Sequence, residues 1–336
     1  MKWTDFPSKQ FEVCGLPWWE ENSPKLNRFP FRAESQIRGP VWNLARYPAG
    51  GRIRFASNTS QLAIRATYCD LANRQNMSDF GASGLDVYVN GQYWISACPK
   101  SPGEVTLNFF GGVDNDLKEF TVYLPLFQEL QIQAIGLDEN ASLALPSPHQ
   151  KPLPVMFYGS SVVQGSGASR PGMMTYEAIL ARKLNLDYID LGFGGNGRAE
   201  PEVVNLLTEI NACCYVFDLG KSYGMQPTEP YTKMLEEMRN SYPEIPLICI
   251  TPIYSTREQF DAEYRNRSIH TRQAATEAVN ARKSAGDQGI TLVEGLELLG
   301  PDDSDGFHEG IHPSDYGYNL IAQRLESHLT NALRTV

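Results

Sequence analysis

The sequence predicts an α/β domain preceded by a β-sandwich. Three observations lead to this prediction: short strand-like runs fill the first half, a proline-rich joint follows, and strand-like runs then alternate with helical ones. The chain has 336 residues, which is enough for two domains of ordinary size. We therefore predict a β-sandwich over 1–147, a linker over 148–154 and an α/β domain over 155–336.

In the first half, the strand-like runs are short and are broken by turn residues. They lie at 52–55, 61–67, 85–89, 92–96, 104–110 and 119–124. Asn90-Gly91 separates two of them and predicts a two-residue hairpin. No long amphipathic helix is evident, so a β-sandwich is expected.

The joint between the halves is marked by proline. Four prolines lie within residues 146–154, and the hydrophobic period changes after them. Strands are predicted at 155–158, 188–191, 215–219, 247–250 and 290–293. Helices are predicted at 176–184, 200–210, 229–240, 257–283 and 314–333. This alternation implies a parallel sheet covered on both faces, with reactive groups beyond the C-terminal ends of its strands.

Composition limits the function classes. The formal net charge of −10 disfavours binding to phosphate backbones, so we expect no nucleic-acid partner. No apolar run is long enough to span a bilayer, and Met1–Pro7 lacks the pattern of a secretory signal, so no membrane partner is expected. The six cysteines form no CxxC pair, which favours reduced thiols and a cytoplasmic location.

A serine lies where the first strand of the α/β half ends, in the run Tyr158-Gly-Ser-Ser-Val-Val-Gln-Gly165. At that position a hydroxyl can face the open edge of the sheet, although such loops are common and the signal is weak alone. The next strand is followed by the glycine-rich run Asp190–Arg198. Its glycines allow backbone N–H groups to approach a ligand and hold a developing oxyanion.

A histidine with a nearby acid precedes the last helix, in the run Asp305–Gly317. A histidine base needs a partner that fixes its tautomer, and Glu309 stands three residues before His312. Asp305 is the alternative acid, either for His312 or, through a register shift, with His308.

These segments, in this order, resemble the SGNH (GDSL-like) hydrolases. The resemblance is closest for the branch with a Gly-Ser-Ser first block and an N-terminal β-sandwich. It rests on Val155–Arg182, on Leu191–Arg198 and on His312–Tyr318, and Ser83–Tyr88 resembles the Gly-x-Asp-Leu-Tyr signature of that branch. It implies a flavodoxin-like α/β/α domain behind a jelly-roll-like β-sandwich. It also implies ester hydrolysis without a metal or another cofactor.

The resemblance also implies roles for individual residues. Ser161 matches the nucleophile and one backbone oxyanion donor, Gly195 matches the second donor, and His312 matches the base. Two positions depart from the family pattern: Glu309 stands where the family has aspartate, and Ser222 stands where it has an asparagine that donates to the oxyanion.

Three polar residues that follow the reactive loops are candidates for substrate binding. They are Arg170, Asn196 and Arg198, and each has a surface or turn-forming role as the alternative.

Two other motifs match by letter. His308–His312 fits the HExxH zinc pattern, but Gly310 and Pro313 disfavour the helix that this pattern needs. Gly192–Gly197 fits the GxGxxG dinucleotide pattern, but it follows the second strand of the α/β half rather than the first.

The expected function is hydrolysis of a small-molecule ester by a serine esterase. The preferred substrate is a short, acetyl-like acyl group on a polar alcohol such as a sugar. A lipase or thioesterase for longer acyl chains is one alternative. A catalytically weakened carbohydrate-binding protein is another, with Trp18, Trp19 and Trp42 as a sugar platform. The oligomeric state is left open, a homo-oligomer included.

Overall fold

The chain is described here by a computed structural model, which covers residues 1–172 and 174–334. The strands are β1 (Lys2–Asp5), β2 (Glu12–Cys14), β3 (Arg52–Ser57), β4 (Leu62–Tyr68), β5 (Leu85–Val89), β6 (Gln92–Ala97), β7 (Gly103–Phe110), β8 (Lys118–Tyr123), β9 (Gln131–Leu137), β10 (Val155–Gly159), β11 (Tyr188–Gly192), β12 (Cys214–Asp218), β13 (Leu247–Ile250) and β14 (Ile290–Val293).

The helices are α1 (Trp19–Asn22), α2 (Gly39–Ala45), α3 (Asp79–Ser83), α4 (Tyr176–Leu184), α5 (Pro201–Leu207), α6 (Glu229–Ser241), α7 (Ala262–Ser284), α8 (Gly295–Leu298) and α9 (Asp315–Leu333). Short 3₁₀ helices lie at Phe31–Ala33, Gly220–Tyr223, Thr256–Gln259 and Pro301–Gly306. Within the described residues, no helix is both long enough and apolar enough to cross a bilayer.

The first half contains two antiparallel sheets, with strand orders β1-β9-β4-β7 and β2-β3-β8-β5-β6. Side chains from both sheets, including Phe55, Ile64 and Phe120, meet in one core and are fully buried. Asn90 and Gly91 join β5 to β6 with positive φ angles of 50° and 76°, as the two-residue turn requires. The predicted β-sandwich is confirmed.

The second half contains one parallel sheet with the order β11-β10-β12-β13-β14. Its first strand along the chain, β10, lies between the second and the third, which is the flavodoxin-like order. Residues alternate between its two faces: Met156 and Tyr158 enter the core beneath α5 and α6, whereas Val155 and Phe157 enter the core beneath α4 and α9. The predicted α/β/α architecture is confirmed.

Three of the longer helices begin at side-chain caps. Thr175, Asp261 and Ser314 each accept a hydrogen bond from a backbone N–H in the first turn of α4, α7 and α9. The cap at Asp261 explains a difference from the prediction of one helix over 257–283. Residues Thr256–Gln259 form a separate 3₁₀ turn, and α7 begins only after Asp261.

A segment of the first half packs on the parallel sheet. Phe29, Trp42 and their neighbours within 18–45 belong to the same core as the α5 and α6 side chains. Arg28, which is fully buried, donates to the carbonyl oxygens of Gly192 (2.6 Å) and Leu44 (2.8 Å). Residues 18–45 therefore join the two halves, although the sequence groups them with the β-sandwich.

Candidate active site

A cavity of about 410 Å³ opens at the C-terminal ends of β10, β11 and β12. This edge is the point where the strand order reverses, the usual binding crevice of an open parallel sheet. On one side, the loops after these strands and the loop before α9 contribute Ser161, Gly195, Ser222 and His312; we call this side the strand-end rim. On the other side, Leu44, Arg74, Asn76 and Phe127 come from the first half; we call them the N-terminal wall.

The imidazole of His312 faces the hydroxyl of Ser161. His312 Nε2 lies 2.8 Å from Ser161 Oγ, although the two residues are 151 positions apart in the chain. This distance allows the hydroxyl proton to pass directly to the ring. A hydroxyl whose proton can be removed in this way is a competent nucleophile.

The loop that carries Ser161 is attached to α9. The hydroxyl of Tyr318, in the first turns of α9, lies 3.1 Å and 2.8 Å from the carbonyl oxygens of Val162 and Ser166. Gly167 has φ +90°, and a Cβ there would come 2.4 Å from the Pro313 carbonyl oxygen. Because the residue at 167 has no side chain, this loop can approach the histidine loop closely.

Glu309 contacts the other nitrogen of the imidazole. Its Oε1 makes a short hydrogen bond with His312 Nδ1, and its Oε2 accepts from the Ile311 N–H at 3.1 Å. Burial raises the pKa of the Glu309 carboxyl, but these bonds and one from Asn76 outweigh burial, and the pKa lies below its ordinary value. Glu309 is therefore ionised at neutral pH and can stabilise an imidazolium.

Asp305 does not take part in this arrangement. It lies in the exposed 3₁₀ segment Pro301–Gly306 and, within the described residues, forms no hydrogen bond with His312 or His308. The segment turns Asp305 away from the cavity, which leaves Glu309 as the acid beside His312.

The backbone N–H groups of Ser161 and Gly195, both on the rim, have no acceptor within residues 1–172 and 174–334. The neighbouring Gly194 N–H is bound to Gln164 Oε1 at 2.8 Å, which fixes the glycine loop beside the serine. Gly195 has φ +72°, and a Cβ there would meet no atom within 4 Å. The two free donors are thus available to an oxyanion.

Ser222 lines the cavity, but its hydroxyl is already engaged. It donates to the Leu219 carbonyl oxygen at 2.9 Å and accepts from the Gly197 N–H at 3.2 Å. Since a hydroxyl has one proton, Ser222 offers no donor to an oxyanion in this arrangement. It connects the loop after β12 to the glycine loop instead.

The three residues predicted to bind substrate do not line the cavity. Arg170 stacks on the Tyr93 ring, 3.7 Å from its centroid. The Asn196 side chain donates to the Gly194 carbonyl oxygen at 2.7 Å, and Arg198 lies 3.5 Å from the Gly195 carbonyl oxygen. These local contacts engage all three side chains outside the cavity lining, and their role in substrate binding stays a prediction.

Two buried ionisable groups also line the cavity. Burial raises the pKa of Asp218 to about 7, against the opposing effects of Tyr176 and Lys221. Burial lowers the pKa of Lys221 to about 8, although Glu258 opposes the shift. Lys221 Nζ donates to the carbonyl oxygens of Ile253 and Tyr254, so it anchors the loop after β13.

Sequence reasoning missed the N-terminal wall, Asp218 and Lys221. Asn76 Nδ2 lies 3.5 Å from His312 Nδ1, and the guanidinium of Arg74 stacks on the Phe127 ring. No spacing in the sequence connects residues 74–76 or 127 with the serine or histidine motifs. Only the packing of the sandwich against the α/β domain reveals them.

The structure does not support the HExxH and GxGxxG matches. Residues 308–312 form a turn in which the His308 N–H donates to the His312 carbonyl oxygen at 2.8 Å, so the two histidines do not lie on one helix face. The run Gly192–Gly197 follows β11, and its Gly194 N–H is already bound by a side chain.

Among residues 1–172 and 174–334, one group of side chains has the spacing of a metal site. Ligand atoms of Cys14, His149 and Asp187 lie within 4.8 Å of one another, outside the cavity described above. Arg52 pairs with Asp187, and Arg54 Nη1 lies 2.9 Å from His149 Nε2. Two guanidinium groups at these ligands disfavour a further cation.

Two family comparisons cover nearly the whole chain. The sequence model of the GDSL-like lipase/acylhydrolase family matches residues 151–330. A second family, described as the N-terminus of SGNH-hydrolase-type esterases, matches residues 1–143. None of the curated proteins compared gives a significant match.

Solved structures share the fold over most of their length. A protein from Bacteroides ovatus described as a GDSL-like lipase has 24% identity and a TM-score of 0.89, covering 99% of this chain and 98% of its own. The salicylyl-acyltransferase SsfX3 of a tetracycline biosynthetic pathway has 18% identity and a TM-score of 0.84, with coverages of 98% and 97%. The acetyl xylan esterase Est2A from Butyrivibrio proteoclasticus has 14% identity and a TM-score of 0.67, covering 100% of both chains.

Proposed function

Because the chain belongs to the GDSL-like lipase/acylhydrolase family and is an esterase of that family, we propose that it hydrolyses a short acyl ester of a polar alcohol, with Ser161 as the nucleophile. The observation that carries this proposal is the distance of 2.8 Å between Ser161 Oγ and His312 Nε2. In this proposal the alcohol is a sugar or a similar polyol.

In the first step His312 accepts the hydroxyl proton of Ser161, and Oγ attacks the acyl carbonyl carbon. Glu309 holds the ring through Nδ1, so Nε2 is left without a proton and free to accept one. The ionised carboxylate then stabilises the imidazolium that forms.

The oxyanion is held by the N–H groups of Ser161 and Gly195, which are free of acceptors within the described residues. Ser222 does not add a third donor, because its proton goes to Leu219. A missing side-chain donor lowers the rate by about 10²–10³-fold when nothing replaces it. We therefore expect slower turnover than in an enzyme with a complete set of donors.

In the second step His312 returns the proton to the leaving alcohol oxygen, which breaks the C–O bond and leaves an acyl group on Ser161. A water molecule then attacks this acyl-enzyme, passing its proton to His312. Cleavage of the Ser161 ester releases the acid, and the proton on His312 restores the hydroxyl of Ser161.

The shape of the cavity supports a small acyl group on a polar alcohol. Its volume of about 410 Å³ lies at the lower end of the range of small-molecule sites. The walls mix apolar side chains, such as Ile253 and Ile311, with polar ones. Among proteins of the same fold, one carbohydrate esterase from Clostridium thermocellum was solved with cellohexaose, and Est2A is described as an acetyl xylan esterase.

The test is a panel of acetyl and octanoyl esters, including acetylated sugars, assayed on the wild type and on Ser161→Ala. We expect turnover of acetyl esters that falls by about 10⁴-fold or more in Ser161→Ala, together with loss of labelling by a fluorophosphonate. Ser160→Ala is the control, because it removes the adjacent buried hydroxyl and should retain labelling. Hydrolysis that persists in Ser161→Ala would exclude the proposed nucleophile, and preference for octanoyl esters would favour a lipase.

A further inference from the structure

Arg74 stands where the catalytic cavity meets a second cleft. The second cleft has a volume of about 610 Å³, and both Arg74 and Phe127 line the two spaces. Most of its walls are polar and come from residues 43–47, 69–74 and 128–129. A substrate held at Ser161 that extends out of the catalytic cavity along this wall would therefore pass Arg74.

The guanidinium of Arg74 is held in place by an aromatic ring. Its central carbon lies 4.1 Å from the centroid of Phe127, a ring that is itself 2% exposed. Stacking uses the face of the guanidinium and leaves the N–H donors at its edge free. Stacking on Phe127 thus fixes the position of the Arg74 guanidinium, and its N–H groups remain available to bind an anion.

Arg74 has no anionic partner in the part of the chain that the structure describes: its side chain forms neither an ion pair nor a hydrogen bond there. Arg28 and Arg272, two other arginines of low exposure, behave differently. Arg28 donates to the carbonyl oxygens of Leu44, Tyr47 and Gly192, and Arg272 binds Glu258 through both terminal nitrogens. A half-buried guanidinium on a cavity wall with unused donors indicates a ligand that supplies the acceptors.

The other charges around these spaces have partners within the protein. In the catalytic cavity, Lys221 lies 3.5 Å from Glu258, and Glu309 binds His312. Asp218, which also lines this cavity, accepts a hydrogen bond from the Tyr176 hydroxyl at 3.4 Å. In the second cleft, Arg46 pairs with Glu129, and Asp70 accepts from Gln128 at 2.8 Å. The charge left for a ligand is that of Arg74, and it is positive.

Building on the proposed esterase function, we propose that Arg74 binds a carboxylate group of the substrate and so makes the enzyme selective for acidic esters. The two oxygens of a carboxylate match two parallel N–H donors at the edge of a guanidinium. The carboxylate belongs either to the alcohol, as in an acetylated uronic acid, or to the acyl group, as in a succinyl ester.

Matched pairs of esters distinguish these two sources. For the alcohol, acetate release is compared between acetylated glucuronic acid and acetylated glucose. For the acyl group, the pair is p-nitrophenyl hydrogen succinate and p-nitrophenyl butyrate. We expect the acidic ester of one pair to be the better substrate by about 5- to 50-fold in kcat/KM, with a preference that shrinks as ionic strength rises.

Arg74→Gln should abolish that preference while changing kcat/KM for the neutral ester less than about threefold. Arg74→Lys should restore part of it, because the charge remains but the paired donors do not. The control is Arg65→Gln: Arg65 also stacks on an aromatic ring, 4.0 Å from the Trp3 centroid, but it does not line the cavity. That variant should keep the wild-type preference.

Two results would overturn this inference. One is a wild type that treats both members of each pair alike, and the other is an Arg74→Gln variant that loses activity equally on acidic and neutral esters. Either result leaves the proposed esterase function intact, provided that neutral esters are still cleaved and that Ser161→Ala abolishes the cleavage. Persistent cleavage in Ser161→Ala would instead remove the proposed function itself.

Discussion

The strand-end rim and the N-terminal wall face each other across one cavity but are built in different ways. The rim consists of the loops after neighbouring strands and the loop before α9, which bring Ser161 and His312 within 2.8 Å. The wall comes from loops of the sandwich half, and the buried Arg28 connects that half to the end of β11. The difference teaches that topology brings the candidate reacting groups together, whereas packing between the two halves decides which side chains face them.

The largest effect should come from the rim. If Ser161 and His312 act as one unit, Ser161→Ala and His312→Ala each lower kcat by about 10⁴–10⁶-fold, and the double variant is no worse than either single one. Single-turnover and steady-state assays on p-nitrophenyl acetate measure this. Losses that multiply in the double variant would show that the two side chains act independently.

The next largest effect is a loss of stability on replacing Arg28, which connects the sandwich half to the end of β11. Arg28→Met should lower the free energy of unfolding by about 3–5 kcal/mol, because it leaves the buried Asp190 carboxylate without its cation. Urea denaturation gives the value. Arg32→Met is the control, since the exposed pair of Arg32 with Glu209 should contribute no more than about 1 kcal/mol. Equal costs for both variants would contradict an anchoring role for Arg28.

A smaller effect is expected for the acid on the rim. Glu309→Gln keeps the size of the side chain but removes the charge that stabilises the imidazolium, so kcat should fall by about 10²-fold. Asp305→Asn should change kcat less than about twofold, because Asp305 is exposed and away from His312. If Asp305→Asn were the more damaging of the two, the acid would have been assigned wrongly.

Asp218, which lines the cavity, should make the free energy of unfolding depend on pH. Because the folded-state pKa of Asp218 is raised to about 7, folding favours its neutral form. The contribution of Asp218 to the free energy of unfolding is fully present below its unfolded-state pKa of about 4. This contribution is lost as the pH rises through 7. Asp218→Asn should therefore be more stable than the wild type by about 1–3 kcal/mol at pH 8 and nearly equal to it at pH 4. Thermal or urea unfolding at the two pH values measures the difference, and a gain that does not vary with pH would refute the titration of Asp218.

The smallest effect should come from the wall residue nearest to the histidine. Asn76 contacts His312 Nδ1 and Glu309, so Asn76→Ala should lower kcat about three- to tenfold and change KM little. Asn73→Ala, at an exposed position of the adjoining cleft, is the control and should leave kcat unchanged. A matching fall in both variants would indicate disruption of the loop rather than a contact with the histidine.

Much of the fold follows from local patterns in the sequence. Buried runs such as 155–158 and 188–191 match β10 and β11 within one residue, because strands covered on both faces are apolar throughout. The start of α7 was placed too early, since a 3₁₀ turn before the Asp261 cap has the same composition as a helix.

The candidate site likewise contains some residues that the sequence predicts and others that it does not. Ser161 and Gly195 lie in short motifs at strand ends, His312 lies in the motif before α9, and the topology makes them neighbours. Arg74 and Phe127 lie in ordinary loops, and they reach the cavity only because the sandwich half packs on the α/β half. Arg170 and Arg198 follow predicted reactive loops, but Arg170 stacks on Tyr93 and Arg198 lies beside the Gly195 carbonyl oxygen, so neither lines the cavity.

The segment around Arg28 has a consequence during synthesis of the chain. A ribosome releases residues 18–45 well before β11 exists, so Phe29 and Trp42 emerge with no surface to cover them. Until the glycine loop of β11 folds beneath it, this aromatic strip is exposed to other nascent chains and to chaperones. The same residues that later join the two halves thus make the incomplete chain prone to aggregation.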